Sequence, residues 1–191
     1  DKMDFFLLYL NPSIVLKSIS TITSDKGHND IFYNYGWWCD YNQESVLKEG
    51  EEVPVSIGKS MLLQETLNDI SQIKILCDNY NIELVVFTNP MHYVTYEASL
   101  EKNYYEFLYG LSQTTSFYNF SSFNDVTMDT SNFVDSSHYT AHIGDMIISC
   151  IKDGNIDNSL LEQGFGTYVT AENVETFLNM LHAQEQQYIL R

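Results

Sequence analysis

Two short apolar segments with a helical pattern between them constrain the fold of this chain most. The first is IELVVFT, residues 82–88, which is rich in β-branched residues, and the second is SFYNFS, residues 116–121. The residues between them place apolar side chains on one helical face, at Leu100, Tyr104, Phe107, Leu108 and Leu111. A strand, a helix and a second strand joined by so long a connection form a right-handed parallel crossover. The sequence therefore predicts an α/β fold in which both segments are buried parallel strands.

Helical patterns lie on both sides of this unit. The stretch after residue 58 predicts a long amphipathic helix with a stripe at Leu63, Leu67, Ile70, Ile73, Cys77 and Tyr80. Two later stripes predict further helices, one at Ile143, Ile147, Cys150 and Ile151, the other at Val174, Phe177, Leu178, Leu181 and Tyr188 after a Thr170 cap. We expect a single domain over 1–191, with an irregular and helical lead-in over 1–57, an α/β core over 58–151 and a helical tail over 152–191.

Two strands are too few for this core, because a parallel sheet of two strands is not a stable body. Either residues 1–57 hold further strands, or residues absent from this chain complete the sheet. The chain begins with Asp1 rather than Met, which favours a piece of a longer protein.

The charge of the chain restricts its partners. Asp and Glu number 26 and Lys and Arg number 9, so the net charge is −17. This field repels nucleic-acid phosphates and anionic lipids, and it suits a neutral or cationic substrate. No apolar run is long enough to span a membrane, and the three cysteines are too dispersed for a zinc knuckle or a disulfide framework. We expect no cofactor.

The stretch NFVDSSHYTAHIGDMIISCI, residues 132–151, carries the main candidate site. Asp135 precedes His138 by three residues, so its carboxylate can reach Nδ1 of the ring and leave Nε2 free to accept a proton. This is the base and its orienting acid in a catalytic triad. The competing interpretation is a structural hydrogen bond within a loop, because the D-x-x-H spacing is common.

A metal site is a further alternative. His138 and His142 are four residues apart and Asp145 follows, which is a spacing that one helical face can offer to a metal ion. Thr140 is expected to cap the helix, however, which places His138 before its regular part. The ligand geometry then fails, and we predict no metal site.

Two more residues follow the first strand. Asn89 and His92 lie in the turn after residues 82–88, and ligands of open α/β sheets bind at the carboxyl ends of the strands. We therefore predict that Asn89 and His92 contact the substrate in the crevice that His138 faces; the alternative is an ordinary turn at the end of a strand. Ser60 is a weak candidate nucleophile, because VPVSIGKSM resembles a loop entering a helix.

These segments together resemble a known family. FVDSSHYTAHIGDMII, preceded by LVVFTNPMH, is similar to the C-terminal half of SGNH/GDSL-type hydrolases, and most to cell-envelope members related to the teichoic-acid D-alanylation and alginate O-acetylation proteins. LNPSIVLKSISTI and GFGTYVTAENVETFLNMLHAQEQQY also resemble that subgroup. The resemblance covers most of the chain and is strongest over about residues 60–190.

The resemblance implies a flavodoxin-like three-layer α/β fold, here its C-terminal half with helical additions, and a Ser-Asp-His triad. Asp135 would be the aspartate and His138 the general base. The serine and oxyanion-donor blocks have no match, so the chain alone is expected to be inactive. The implied partners are an acylated envelope polysaccharide or similar substrate, the missing upstream strands of the same protein, and the membrane only through a missing N-terminal anchor. The implied location is the cell envelope.

Two other functions stay open. The chain could be a non-catalytic envelope module that binds glycan or acts as a scaffold, using surface aromatic residues such as Tyr33, Tyr35, Trp37 and Trp38. It could also be a metal-dependent hydrolase that uses His138 and His142.

Overall fold

The computed structural model describes residues 63–190, together with Leu47, Val53 and Val55. These residues belong to one compact unit of the chain, Tyr41–Arg191. The predictions for Ser60 and for the aromatic residues between positions 33 and 38 lie outside the described residues, as does most of the predicted lead-in.

The described part of the chain is a mixed α/β body that is mostly helical. Its helices are α1 (Leu63–Asn79), α2 (Tyr93–Leu100), α3 (Tyr104–Thr114), α4 (Asp125–Met128), α5 (Ala141–Asp153), α6 (Asn158–Glu162) and α7 (Val174–Ile189). Its strands are β1 (Phe117–Asn119) and β2 (Thr167–Val169), and a 3₁₀ turn spans Thr130–Asn132. The predicted α/β class is therefore confirmed, whereas the flavodoxin-like arrangement stays a prediction.

The two predicted strands do run parallel where they meet. Phe87 and Tyr118 form a parallel bridge, with 2.9 Å hydrogen bonds from Tyr118 N to Val86 O and from Thr88 N to Tyr118 O. The expectation that residues 82–88 form a buried strand is wrong, since Val85 and Phe87 are 46% and 43% exposed. The reason is that, among residues 63–190, this segment pairs on one side only and lies at the edge of the sheet.

The C-terminal region holds a strand that the sequence analysis missed. β2 pairs antiparallel with β1 in the register Phe117↔Val169, Tyr118↔Tyr168, Asn119↔Thr167. Gly164 and Gly166 precede it with φ of +83° and +85°, a conformation that glycine adopts without strain. Residues 152–191 are therefore not purely helical, because the two glycines turn the chain back toward β1.

The predicted helices form, with changes at their ends. The helix expected through Leu100 to Leu111 is two helices, because Asn103 has φ +62° and breaks it between α2 and α3. α7 begins at Val174 with Asn173, not Thr170, as its N-cap residue. Thr170 instead accepts backbone hydrogen bonds from Asn173 and Val174 through its carbonyl. The stripe of α1 is only partly buried, since Leu67 and Ile70 pack on the core while Ile73 and Tyr80 are exposed.

Apolar clusters lie on both faces of β1. Phe117 belongs to one cluster, which is built from residues of α2, α3, β2 and α7. Tyr118, the next residue, packs against a second cluster formed around α5, with Phe120 and Phe165 at its centre. Successive side chains of a strand point to opposite faces, so β1 separates two helical layers. Its carboxyl end, together with that of residues 82–88, leads into the loops of the candidate site.

Candidate functional site

The D-x-x-H block forms a closed loop before α5. Phe133 and Tyr139 form an antiparallel bridge, and Val134 N donates to His138 O at 2.8 Å. Thr140 N donates to Asn132 O at 2.9 Å, and α5 begins at the following residue. The backbone bonds at its base hold the loop in one conformation, so the side chains at its tip have defined positions.

Asp135 organises the tip of this loop. Its Oδ1 accepts hydrogen bonds from the backbone N–H groups of Ser137 at 2.8 Å and His138 at 2.9 Å. Such a turn is one that aspartate favours, because its short side chain can reach the backbone two residues ahead. These two hydrogen bonds to Oδ1 fix the orientation of the carboxylate, which then faces the imidazole ring.

The carboxylate also contacts the histidine ring. Nδ1 of His138 lies 2.8 Å from Oδ2 and 2.9 Å from Oδ1 of Asp135. Burial alone would raise the pKa of the Asp135 carboxyl, but the hydrogen bonds from Ser137 and from the ring and backbone of His138 outweigh it and hold the pKa below its usual value. Asp135 is therefore ionised near neutral pH and favours the tautomer with its proton on Nδ1.

The other side of the ring is open. The His138 side chain is 77% exposed, and within the described part of the chain Nε2 has no hydrogen-bond partner. An imidazole held at Nδ1 by a carboxylate and free at Nε2 can accept a proton from a hydroxyl group and return it. The chemical arrangement expected for this pair is thus present in the structure.

Asn89 lies beside the block, as its position after residues 82–88 indicated. Its Nδ2 donates to the Ser137 carbonyl at 3.2 Å and to the Pro90 carbonyl at 3.3 Å. The backbone carbonyl of Asn89 accepts a hydrogen bond from Ser121 Oγ at 2.6 Å, and Ser121 Oγ in turn accepts one from Met91 N at 3.2 Å. Asn89 therefore connects the turn after one strand to the loop that carries His138.

His92 does not face the crevice. Its side chain is fully buried, with Nε2 3.2 Å from Thr130 Oγ1 and its ring edge-on to Phe133 at 5.3 Å. Nδ1 has no hydrogen-bond partner among the described residues, and burial lowers the pKa of the imidazole. The prediction that His92 contacts substrate is wrong. His92 directly precedes α2, and its ring packs in the interior against Phe133, at the base of the candidate loop.

The metal alternative gains no support from the structure. Among residues 63–190, no group of three or more His, Cys, Asp or Glu side chains is placed to hold a metal ion. His142 and Asp145 lie exposed on the first turns of α5, after the residue that caps it.

Two buried polar residues that the sequence analysis overlooked, Asn119 and Thr88, position the strand ends. Asn119 is fully buried and donates through Nδ2 to Ser121 O and Gly164 O, both at 2.9 Å. Its Oδ1 accepts from Thr88 Oγ1 at 3.0 Å, and Thr88 Oγ1 accepts from Phe120 N at 2.9 Å. The only signal in the sequence is that polar residues interrupt or end two apolar segments.

A pocket of about 430 Å³ lies next to this site. It is lined by Ser137, by residues of 86–91 that include Asn89, and by residues of α1, α2 and α3. A volume of this size is within the range of binding pockets for small ligands or single large side chains.

Compared with protein-family models, curated proteins and solved structures, the chain matches none of them. The described helices include none that is both long enough and apolar enough to cross a membrane.

Proposed function

We propose that this chain provides the Asp-His half of an SGNH-like serine esterase or O-acyltransferase that acts on an acylated polysaccharide of the cell envelope. One observation carries the proposal: Asp135 holds Nδ1 of His138 at 2.8 Å while the ring stays 77% exposed. This geometry leaves Nε2 accessible to a hydroxyl group, which a general base requires.

In the proposed reaction, Nε2 of His138 takes the proton from a serine hydroxyl supplied by residues outside the described part of the chain. The serine oxygen attacks the ester carbonyl, and the returned proton leaves with the sugar oxygen as the C–O bond breaks. Water then releases the acyl group as an acid, or another hydroxyl accepts it as a new ester. Asp135 stabilises the imidazolium in both steps but stays ionised.

The charge of the chain restricts the substrate class, because teichoic acid and alginate, the polymers of the proteins that it resembles, are polyanions. With a net charge of −17, the protein repels polyanions and tolerates neutral or cationic glycans. A polysaccharide esterified with neutral or amino-bearing acyl groups has that character.

The test is ester hydrolysis by the longest natural form of the protein that contains this chain. We expect His138→Ala to lower kcat/KM for an aryl acetate by about a hundredfold or more, the usual contribution of a general base. His182→Ala is the matched control, because His182 also has an acidic neighbour three residues on, Glu185, with Nδ1 3.6 Å from Oε2.

Equal loss of activity in both variants, or in neither, contradicts the assignment. Labelling by a serine-reactive phosphonate gives a second reading. A parent protein that never labels would favour the non-catalytic envelope module instead.

A further inference from the structure

Among residues 63–190, no strand pairs with the outer edge of residues 82–88. The N–H of Thr88 and the carbonyl of Val86 bond to Tyr118, so the backbone groups of these two residues face β1. Backbone groups alternate in direction along a strand, so those of Val85 and Phe87 point the opposite way. Within the described part of the chain, neither Val85 nor Phe87 makes a backbone hydrogen bond. This edge therefore offers two donors and two acceptors in the spacing of a β ladder.

The side chains along this edge are also incompletely covered. Ile82 is 58% exposed, and Val85 and Phe87 are nearly half exposed. Edge strands that are meant to stay solvated usually carry lysine, proline or a bulge. This segment has none of these and bears a single charge, on Glu83. Its amino-acid composition is therefore typical of an inner strand, which has a neighbour on each side.

The pocket of about 430 Å³ adjoins the same edge. Val86, Phe87 and Thr88 line it from the segment, opposite the apolar side chains of Ile70 and Leu111. Thr95 also lines it and is almost fully buried, yet its Oγ1 has no hydrogen-bond partner in the part of the chain that the structure describes. An apolar pocket with one unsatisfied hydroxyl fits an inserted aliphatic or threonine side chain.

We propose that the open edge at Val85 and Phe87 binds an extended polypeptide strand, which adds to the sheet and places one side chain in this pocket. Backbone pairing supplies affinity in such β-strand addition, and pockets for alternate side chains supply specificity. The occupant has apolar residues at alternate positions and no net negative charge, because the chain carries −17. The same charge disfavours a second copy of this chain as the occupant.

The probe is a short fluorescent peptide, acetyl-KTVTITVTK-amide, titrated with the protein and followed by anisotropy. We expect saturable binding of this peptide. An otherwise identical peptide that is N-methylated along its pairing edge should bind with an affinity about tenfold lower or more, since each lost backbone bond costs about 1 kcal/mol. A version with glutamate in place of lysine should bind more weakly.

Variants of the protein test the edge itself. Val85→Pro removes an outward N–H that has no partner in the structure, so the urea midpoint should stay unchanged while the peptide affinity falls about fivefold or more. Val85→Thr keeps the N–H and should bind like the parent. Absence of binding, equal binding of the N-methylated peptide or of Val85→Pro, or a dimer of the chain that Val85→Pro dissolves would each overturn the proposal.

Discussion

Replacing Asn119 by leucine should destabilise the protein strongly, although the two side chains have similar size. Asn119 is fully buried and its amide makes three hydrogen bonds, to Ser121 O, Gly164 O and Thr88 Oγ1, at 2.9, 2.9 and 3.0 Å. Leucine makes none of them and leaves two carbonyls and a hydroxyl without this partner inside the protein. At about 1 kcal/mol for each bond, and more where a buried group stays unsatisfied, the free energy of unfolding should fall by about 3–5 kcal/mol.

Urea denaturation followed by far-ultraviolet circular dichroism measures this loss. Asn155→Leu is the matched control, because Asn155 is exposed and its side chain donates to Ser149 Oγ at 3.2 Å. We expect the control to change stability by no more than about 0.5 kcal/mol. A loss below about 1 kcal/mol in Asn119→Leu would refute the reasoning, since the three bonds would then contribute almost nothing net. The result bears on the site because Asn119 connects the strand ends that lead to Asn89 and Ser121.

Two further changes test the description of the fold. Burial lowers the pKa of His92, so below about pH 6.5, the usual pKa of histidine, the unfolded chain binds a proton that the folded chain does not. Stability should therefore fall as the pH drops below about 6.5, and urea midpoints should fall less in His92→Phe. An equal pH dependence in both proteins would contradict this. Gly166→Ala should cost about 1–3 kcal/mol, because φ is +85° and the new Cβ would lie 2.9 Å from Cys150 Sγ. Gly144→Ala, in the first turn of α5 with no contact under 3.5 Å, should instead stabilise the protein by up to about 1 kcal/mol, and thermal melts that rank the two the other way would disprove both assignments.

The helices were the most predictable part of the fold. The stripes of α1, α5 and α7 follow the helical period over many residues, and all three helices form. The break at Asn103 was not predictable from that period, because the apolar residues on both sides continue the same spacing across it. β2 was missed for a different reason, since three residues are too short to show an alternating pattern and its pairing depends on the turn at the two preceding glycines.

The candidate site also has one part that the sequence predicts and one part that it does not. The contact between Asp135 and His138 was predictable because both residues lie within one turn of chain, where spacing alone limits geometry. The burial of His92 was not, because it depends on Phe133 and Thr130, about forty residues away in sequence. The exposed edge at Phe87 escaped prediction for a similar reason, since an apolar run does not reveal how many neighbours it has.

β1 links the two halves of the described body mechanically. Phe117 and Tyr118 are adjacent in a strand of three residues, yet one is part of the first apolar cluster and the other packs against the second. Loss of this strand would expose both clusters to water at once. We therefore expect the helical layers on the two sides of β1 to unfold together, so that a substitution that destabilises α7 also destabilises α5 and the loop before it.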